Sequence, residues 1–136
     1  MLNIFVLKLG ESWVEGSIKS IRLKNFLTYD EAEISCGPNL NMVFGPNGTG
    51  KSSIVCALVL GLGGRPDILG RARELSDFVK HGKEKASVTI TLKGKKGRDL
   101  IVRRDFRRSD NNSKWSLNGN YLAPFIFKSA RVISVD

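Results

Sequence analysis

A chain of 136 residues, 41% hydrophobic and 26% charged, has the size and composition of one globular domain with its own core. No apolar run approaches the roughly 20 residues of a membrane-spanning helix, and the N-terminal NIFVL is too short and wrongly flanked for a secretory signal. Cys36 and Cys56 show neither a CxxC nor a metal-ligand spacing, which fits reduced thiols in an intracellular protein.

The net charge of +9 is unevenly placed. Residues 1–70 hold 6 Lys/Arg and 6 Asp/Glu, whereas residues 71–136 hold 16 and 7. Such asymmetry is a statement about partners rather than fold. Nucleic acid or nucleotide is the natural anionic candidate, and a solvated polar face explains the charge equally well.

Taken in chain order, residues 1–16 are weakly patterned and read as a loosely attached leader. SIKSIRLKNF, from Ser17, alternates with its apolar residues switching sides, which predicts a strand with a bulge. EAEISC gives a second short strand. GPN at Gly37 is a turn signal, and LNMVF then reads as a buried strand. Residues 50–62 carry apolar side chains on almost every face, which predicts a buried helix. GLGGRP stops it.

A short helix is predicted over residues 74–80. ASVTITL places Val88, Ile90 and Leu92 on one face of a strand. KGKKGR reads as a hairpin connection to the partner strand DLIVRRDF. KWSLNGNYL predicts a further strand with a turn at Asn118 and Gly119. The last stretch, PFIFKSARVISVD, is apolar and β-prone.

Between the LNMVF strand and the helix lies Gly45-Pro46-Asn47-Gly48-Thr49-Gly50-Lys51-Ser52. It satisfies G-x-x-x-x-G-K-[ST] at every fixed position, in the strand–loop–helix setting that the motif requires. The glycines let the backbone approach phosphates closely, and successive N–H groups form an anion nest. The positive end of the following helix adds to the field. Lys51 supplies a mobile charge, and the Ser52 hydroxyl is a candidate Mg²⁺ ligand. Nucleotide binding follows from this pattern.

Hydrolysis needs more: a second carboxylate on Mg²⁺ and a group that orients water. IVRRD fails as the source of that carboxylate, because Arg103 and Arg104 interrupt the strand end before Asp105. VISVD is closer but is broken by Ser134 and ends at Asp136. No N-K-x-D motif for guanine is present.

The stretches RLKNFLTYD, NGTGKSSIVCAL and GRARELSDFVKHG, in this order and spacing, resemble the N-terminal head segment of the structural maintenance of chromosomes (SMC) ATPases. The resemblance covers about residues 17–122, with 1–16 and 123–136 outside it. It implies an α/β P-loop NTPase of the ABC/SMC type, N-terminal lobe only. The expected lobe has a mixed sheet with antiparallel strands and a buried Walker A helix. It also implies that a C-terminal half, reached after a long coiled coil, supplies the signature motif and Walker B, and that two heads sandwich two ATP molecules.

By the same resemblance, Gly45, Pro46, Asn47, Gly48, Thr49, Gly50, Lys51 and Ser52 hold ATP and Mg²⁺, and Ser53 continues the first turn near the α-phosphate. Lys24 and Asn25 lie where the family's NF segment approaches nucleotide. Arg71 aligns with the arginine-loop residue, and Arg73 competes for that assignment. A solvated loop arginine is the plain alternative for both. The implied partners are a second SMC protein, smaller non-SMC subunits and DNA without sequence preference. The implied setting is the nucleus and chromosomes, with roles in recombination repair and chromosome maintenance.

Lys93, Lys95, Lys96 and Arg98 are the candidate DNA contacts; a solubilising edge device is the alternative. The chain departs from the family pattern in having no glutamine at all, hence no Q-loop, and no heptads or signature motif. It therefore reads as a truncated product or an incomplete gene model. Its LNMVF edge would then be open and its solubility alone poor. A small self-contained P-loop kinase and a non-catalytic nucleotide- or DNA-binding fragment are the alternatives to an ATPase head segment.

Overall fold

The computed structural model describes residues 5–10, 12–46, 48, 50–70 and 74–122. Strands β1 (Phe5–Leu9), β2 (Ile18–Phe26), β3 (Tyr29–Ser35) and β4 (Leu40–Phe44) precede α1 (Lys51–Gly61), the one α-helix among the described residues. Strands β5 (Lys85–Leu92), β6 (Leu100–Arg107), β7 (Ser113–Leu117) and β8 (Asn120–Leu122) follow. Two short 3₁₀ turns, Pro66–Leu69 and Leu75–Phe78, link the helix to β5.

Six strands form one sheet in the order β3-β2-β5-β6-β7-β8, and β1 and β4 form a separate two-stranded sheet. Every pairing among the described strands is antiparallel. The parallel component of a mixed sheet is therefore not among them.

The alternation along each strand decides which face is buried. Ile21 and Leu23 of β2, Ala32 and Ile34 of β3, Val88 and Ile90 of β5, and Phe106 of β6 all point into one core. Helix α1 adds Ile54, Ala57 and Leu60 to it. Phe26 is stacked on Phe78 at 6.0 Å and meets Phe106 edge-on at 6.2 Å, which ties the Leu75–Phe78 turn to the end of β2. The turn is also bonded to the backbone there: Leu27 N donates to Phe78 O, and Lys80 N donates to Asn25 O.

The bulge expected in β2 is a register shift between Ile18 and Ser20. The turn between β7 and β8 has Asn118 at φ 49° and Gly119 at φ 84°, the pair of positive values that a tight two-residue hairpin needs. Asn118 adds a side-chain bond, its Oδ1 accepting from Ile101 N at 2.7 Å.

Three expectations are corrected. Residues Phe5–Leu9, read as leader, form a strand in register with β4, Phe5 opposite Phe44. Strand β4 is not buried: Leu40, Met42, Val43 and Phe44 are all exposed, Phe44 at 46%. It pairs with β1 and takes no place in the six-stranded sheet, so the core of that sheet does not cover it. Helix α1 is buried on one face only, with Val55 57% exposed. A single sheet layer covers one side of a helix, whatever residues stand on the other.

Candidate phosphate-binding site

The glycine loop sits where β4 ends and α1 begins, so strand, loop and helix follow one another as the motif requires. Gly48 takes φ 81° and Gly50 takes φ 92°, left-handed values that the loop reaches because neither residue has a Cβ. Gly50 is the N-cap of α1, without a side-chain cap bond, and no acidic residue stands in the first turn. The helix therefore offers no carboxylate of its own first turn to offset its positive end.

Lys51 Nζ folds back over the loop and donates to Gly45 O. Ser52, the next residue, is exposed, whereas Ser53 is buried and its N–H bonds to Gly50 O. Pro46 is exposed on the loop. Asn47 and Thr49 lie outside the described residues.

Tyr29 completes the wall of the site. A Cβ on Gly50 would collide with the Tyr29 hydroxyl and stand 2.8 Å from its Cζ. The phenol is half-buried there, and burial pushes its pKa up. Reading the motif alone missed Tyr29. The signal for it is the quoted NFLTYD, in which the tyrosine follows the tight turn of the β2–β3 hairpin.

Asn25, expected near nucleotide, has φ 49° and uses its Nδ2 to donate to Lys85 O, stitching β2 to the start of β5. Lys24 is an exposed strand residue opposite Glu31 and Ser87. It is thus Tyr29, across the hairpin turn from the NF segment, that meets the loop.

At its other end α1 is held by a residue from the sheet. Arg104 of β6 donates from Nη1 to Leu60 O at 2.9 Å and Gly64 O at 3.3 Å, and from Nε to Ser113 Oγ at 3.1 Å. Its guanidinium lies 4.6 Å from the Trp115 ring centre. Burial without a carboxylate among these bonding partners pushes the guanidinium pKa down to about 10.

The lysine cluster of residues 93–98 is elsewhere. Lys93 exchanges backbone bonds with Gly16 and Ser17, Lys95 approaches Glu15 at 3.9 Å, and Lys96 is at the exposed tip of the β5–β6 hairpin, with Arg98 exposed beside it. That tip adjoins the Ile18 end of β2, while Tyr29 and the loop adjoin the Phe26 end. The strand separates them by roughly 27 Å at ~3.4 Å per residue.

The basic run of residues 93–108 is also divided by function. Arg108 donates to Val79 O, Lys80 O and Lys83 O, which makes it a staple of the fold. Asp105 is gripped by Arg103 at 2.7 Å on the sheet face turned away from α1, where it cannot serve the loop. On that face Lys85, Arg103, Arg107 and Lys114 line a pocket of about 500 Å³ with Tyr121, which is 73% exposed. Arg71 and its competitor Arg73 lie outside the described residues, as does the stretch to Asp136.

An AAA domain model matches residues 20–124. Structural maintenance of chromosomes protein 5 of Schizosaccharomyces pombe is 46% identical over 103 residues, 76% of this chain and 10% of that one. The Arabidopsis thaliana protein of the same description is 41% identical over 112 residues, 81% of this chain and 10% of that one. Structural maintenance of chromosomes protein 6 of Homo sapiens is 43% identical over 81 residues, 59% of this chain and 7% of that one. The chain spans about a tenth of the length of the curated relatives it matches.

Among solved structures, one from work on the ATP-driven dimerization and DNA-stimulated activation of SMC ATPases superposes with a TM-score of 0.73 at 25% identity, over 81% of this chain and 74% of that one. The recombination mediator RecF with ATP superposes at 0.62 with 20% identity, over 81% of this chain and 29% of that one, a likeness of fold.

Proposed function

The chain belongs to the AAA domain family and resembles the N-terminal head segment of SMC proteins, and from that premise we propose that it binds ATP as this segment of an SMC ATPase head. The observation that carries the reading is the loop itself: two left-handed glycines at the start of α1, with Lys51 lying across them. The amides of the first turn and the Lys51 ammonium would hold the β- and γ-phosphates. The exposed Ser52 hydroxyl, a hard oxygen donor next to Lys51, fits Mg²⁺, which would neutralise charge on the phosphates. Tyr29 would close the loop side of the site.

Hydrolysis on this reading requires a carboxylate and a water-orienting group from a C-terminal half and a partner head. On the same reading that partner is protein 6 of the SMC family, joined by smaller non-SMC subunits. The process would be double-strand break repair by homologous recombination and chromosome maintenance in the nucleus. Lys93, Lys95, Lys96 and Arg98, on an exposed hairpin away from the loop, would contact DNA through its phosphates without reading sequence.

Titration with a fluorescent ATP analogue tests the central claim. Lys51→Ala is expected to lower affinity at least tenfold, and equal affinity overturns ATP binding at this loop. For the DNA contact, replacing the four hairpin cations with Ala should flatten the dependence of DNA affinity on salt, because fewer counterions are released. An unchanged slope removes that contact.

A further inference from the structure

Helix α1 has no basic residue in its last turn, the place where a cation would complement the helix dipole. Arg104 supplies one, 44 residues beyond Leu60 in the chain. It reaches the carbonyls of Leu60, in the last turn, and of Gly64, just beyond the helix. Gly64 is itself locked there: its N–H bonds to Val59 O at 2.7 Å, and a Cβ at this position would collide with Val59. Gly61 lets the same end of the helix sit directly on β5, because a Cβ there would lie 2.9 Å from Val88 Cγ1. The guanidinium is fixed in turn by Ser113 Oγ and by the face of Trp115.

The helix is thus gripped at its C-terminus by a cation mounted on the sheet, and it presents its N-terminus to the phosphate loop. We propose that Arg104 is a positioning residue for nucleotide binding: by clamping Leu60 O and Gly64 O to the Ser113–Trp115 strand, it sets the seat of α1 and so the aim of the loop amides at phosphate. This rests on the ATP-binding reading of the loop. The physical reason is that α1 is a rigid rod of 11 residues, ~16 Å long, so a change in its seat at one end moves the other end. Amide–phosphate hydrogen bonds lose strength steeply with misalignment. A clamp made through β6 and β7 also gives the sheet a direct line to the loop, and Trp115 stands in that line as a built-in optical probe.

The test uses the 136-residue chain carrying Trp13→Phe, so that Trp115 is the single tryptophan. Adding MgATP should change Trp115 emission, and Lys51→Ala should abolish the change. Arg104→Met should weaken ATP binding about tenfold at a temperature where near-ultraviolet circular dichroism shows it folded, and should abolish the emission response. Arg104→Lys should recover part of both, because an ammonium still reaches one carbonyl but loses the planar fork.

If Arg104→Met does not fold, Arg104→Lys and Ser113→Ala carry the test. Each should weaken ATP binding severalfold with the chain intact, and unchanged affinity in both overturns the proposal. A Trp115 signal unmoved by saturating MgATP, or an Arg104→Met chain that melts lower but binds ATP as tightly as the parent, also overturns it. A parent chain that fails to bind ATP, or that binds equally with Lys51→Ala, defeats instead the reading of the loop on which the proposal rests.

Discussion

The six-stranded sheet and the β1–β4 pair differ in how they use apolar residues. Beneath the sheet, the Phe26 ring meets Phe106 of β6 and Phe78 of the Leu75–Phe78 turn inside a core closed by α1. In the pair, Leu40, Met42, Val43 and Phe44 are as apolar as any core strand, yet all four are exposed. Apolar sequence therefore has two meanings within one chain: in the first region it builds stability, and in the second it leads a strand into the phosphate loop without being covered. The loop lies at the border between them, and α1 belongs to both, buried towards the sheet and exposed at Val55.

The contrast can be broken by substitution. Phe26→Ala should destabilise the chain by ~3–5 kcal/mol in urea unfolding, since it removes a fully buried ring. An effect under about 1 kcal/mol would show that the sheet core is not the source of stability.

At the border, Gly50→Ala should cost ~1–3 kcal/mol, combining a left-handed φ with a collision against Tyr29. A double-mutant cycle with Tyr29→Ala sharpens this: the collision part should vanish and the backbone part of about 1 kcal/mol should remain. Additive effects would mean that Tyr29 does not press on the loop.

Phe44→Ala, in the exposed strand, should change stability by only ~0.5 kcal/mol, because its ring already meets water. A loss of the size seen at Phe26 would erase the distinction between the two regions.

The smallest expected effect is on pH dependence. The Lys19 hydrogen bond at 2.7 Å holds the Asp99 carboxyl below the usual carboxylate range, and Lys19 and Lys93 add charge in the same direction. A lowered pKa stabilises the fold above the unfolded value of about 3.9, and that contribution is lost as pH falls through the folded value. Asp99→Asn should therefore flatten the acid limb of the stability curve below about pH 4 and leave the neutral range level. Equal acid limbs for the two chains would remove Asp99 from the acid response.

Much of this was legible in the chain because the signals are local. The alternation in ASVTITL, the Asn118–Gly119 turn and the GPNGTGKS loop each carry their structure within a few residues, and each is found where expected. Tyr29 against Gly50 and Arg104 against Leu60 were not legible, because each contact joins residues 21 or more apart that only the packing of helix and loop on the sheet brings together. Arg104 and Arg108 also illustrate why a basic run misleads. A cation count does not record which side of a strand each side chain takes, and these two serve carbonyls of the fold while Arg103 and Arg107 face outward to the pocket. The exposure of β4 was hidden for the opposite reason: its residues say apolar, but burial depends on what stands beside them.

The pairing of β2 with β5 brings Ile21 opposite Ile90, while β5 to β8 follow one another as adjacent hairpins. Adjacent hairpins close short loops and form early. The β2–β5 ladder must close a loop of about 70 residues, and this costs more entropy and time. The whole segment from Tyr29 through the glycine loop to α1 lies inside that closure. A nucleotide that grips the phosphate loop binds only the form in which this closure is made, and so adds its binding free energy to the closed sheet.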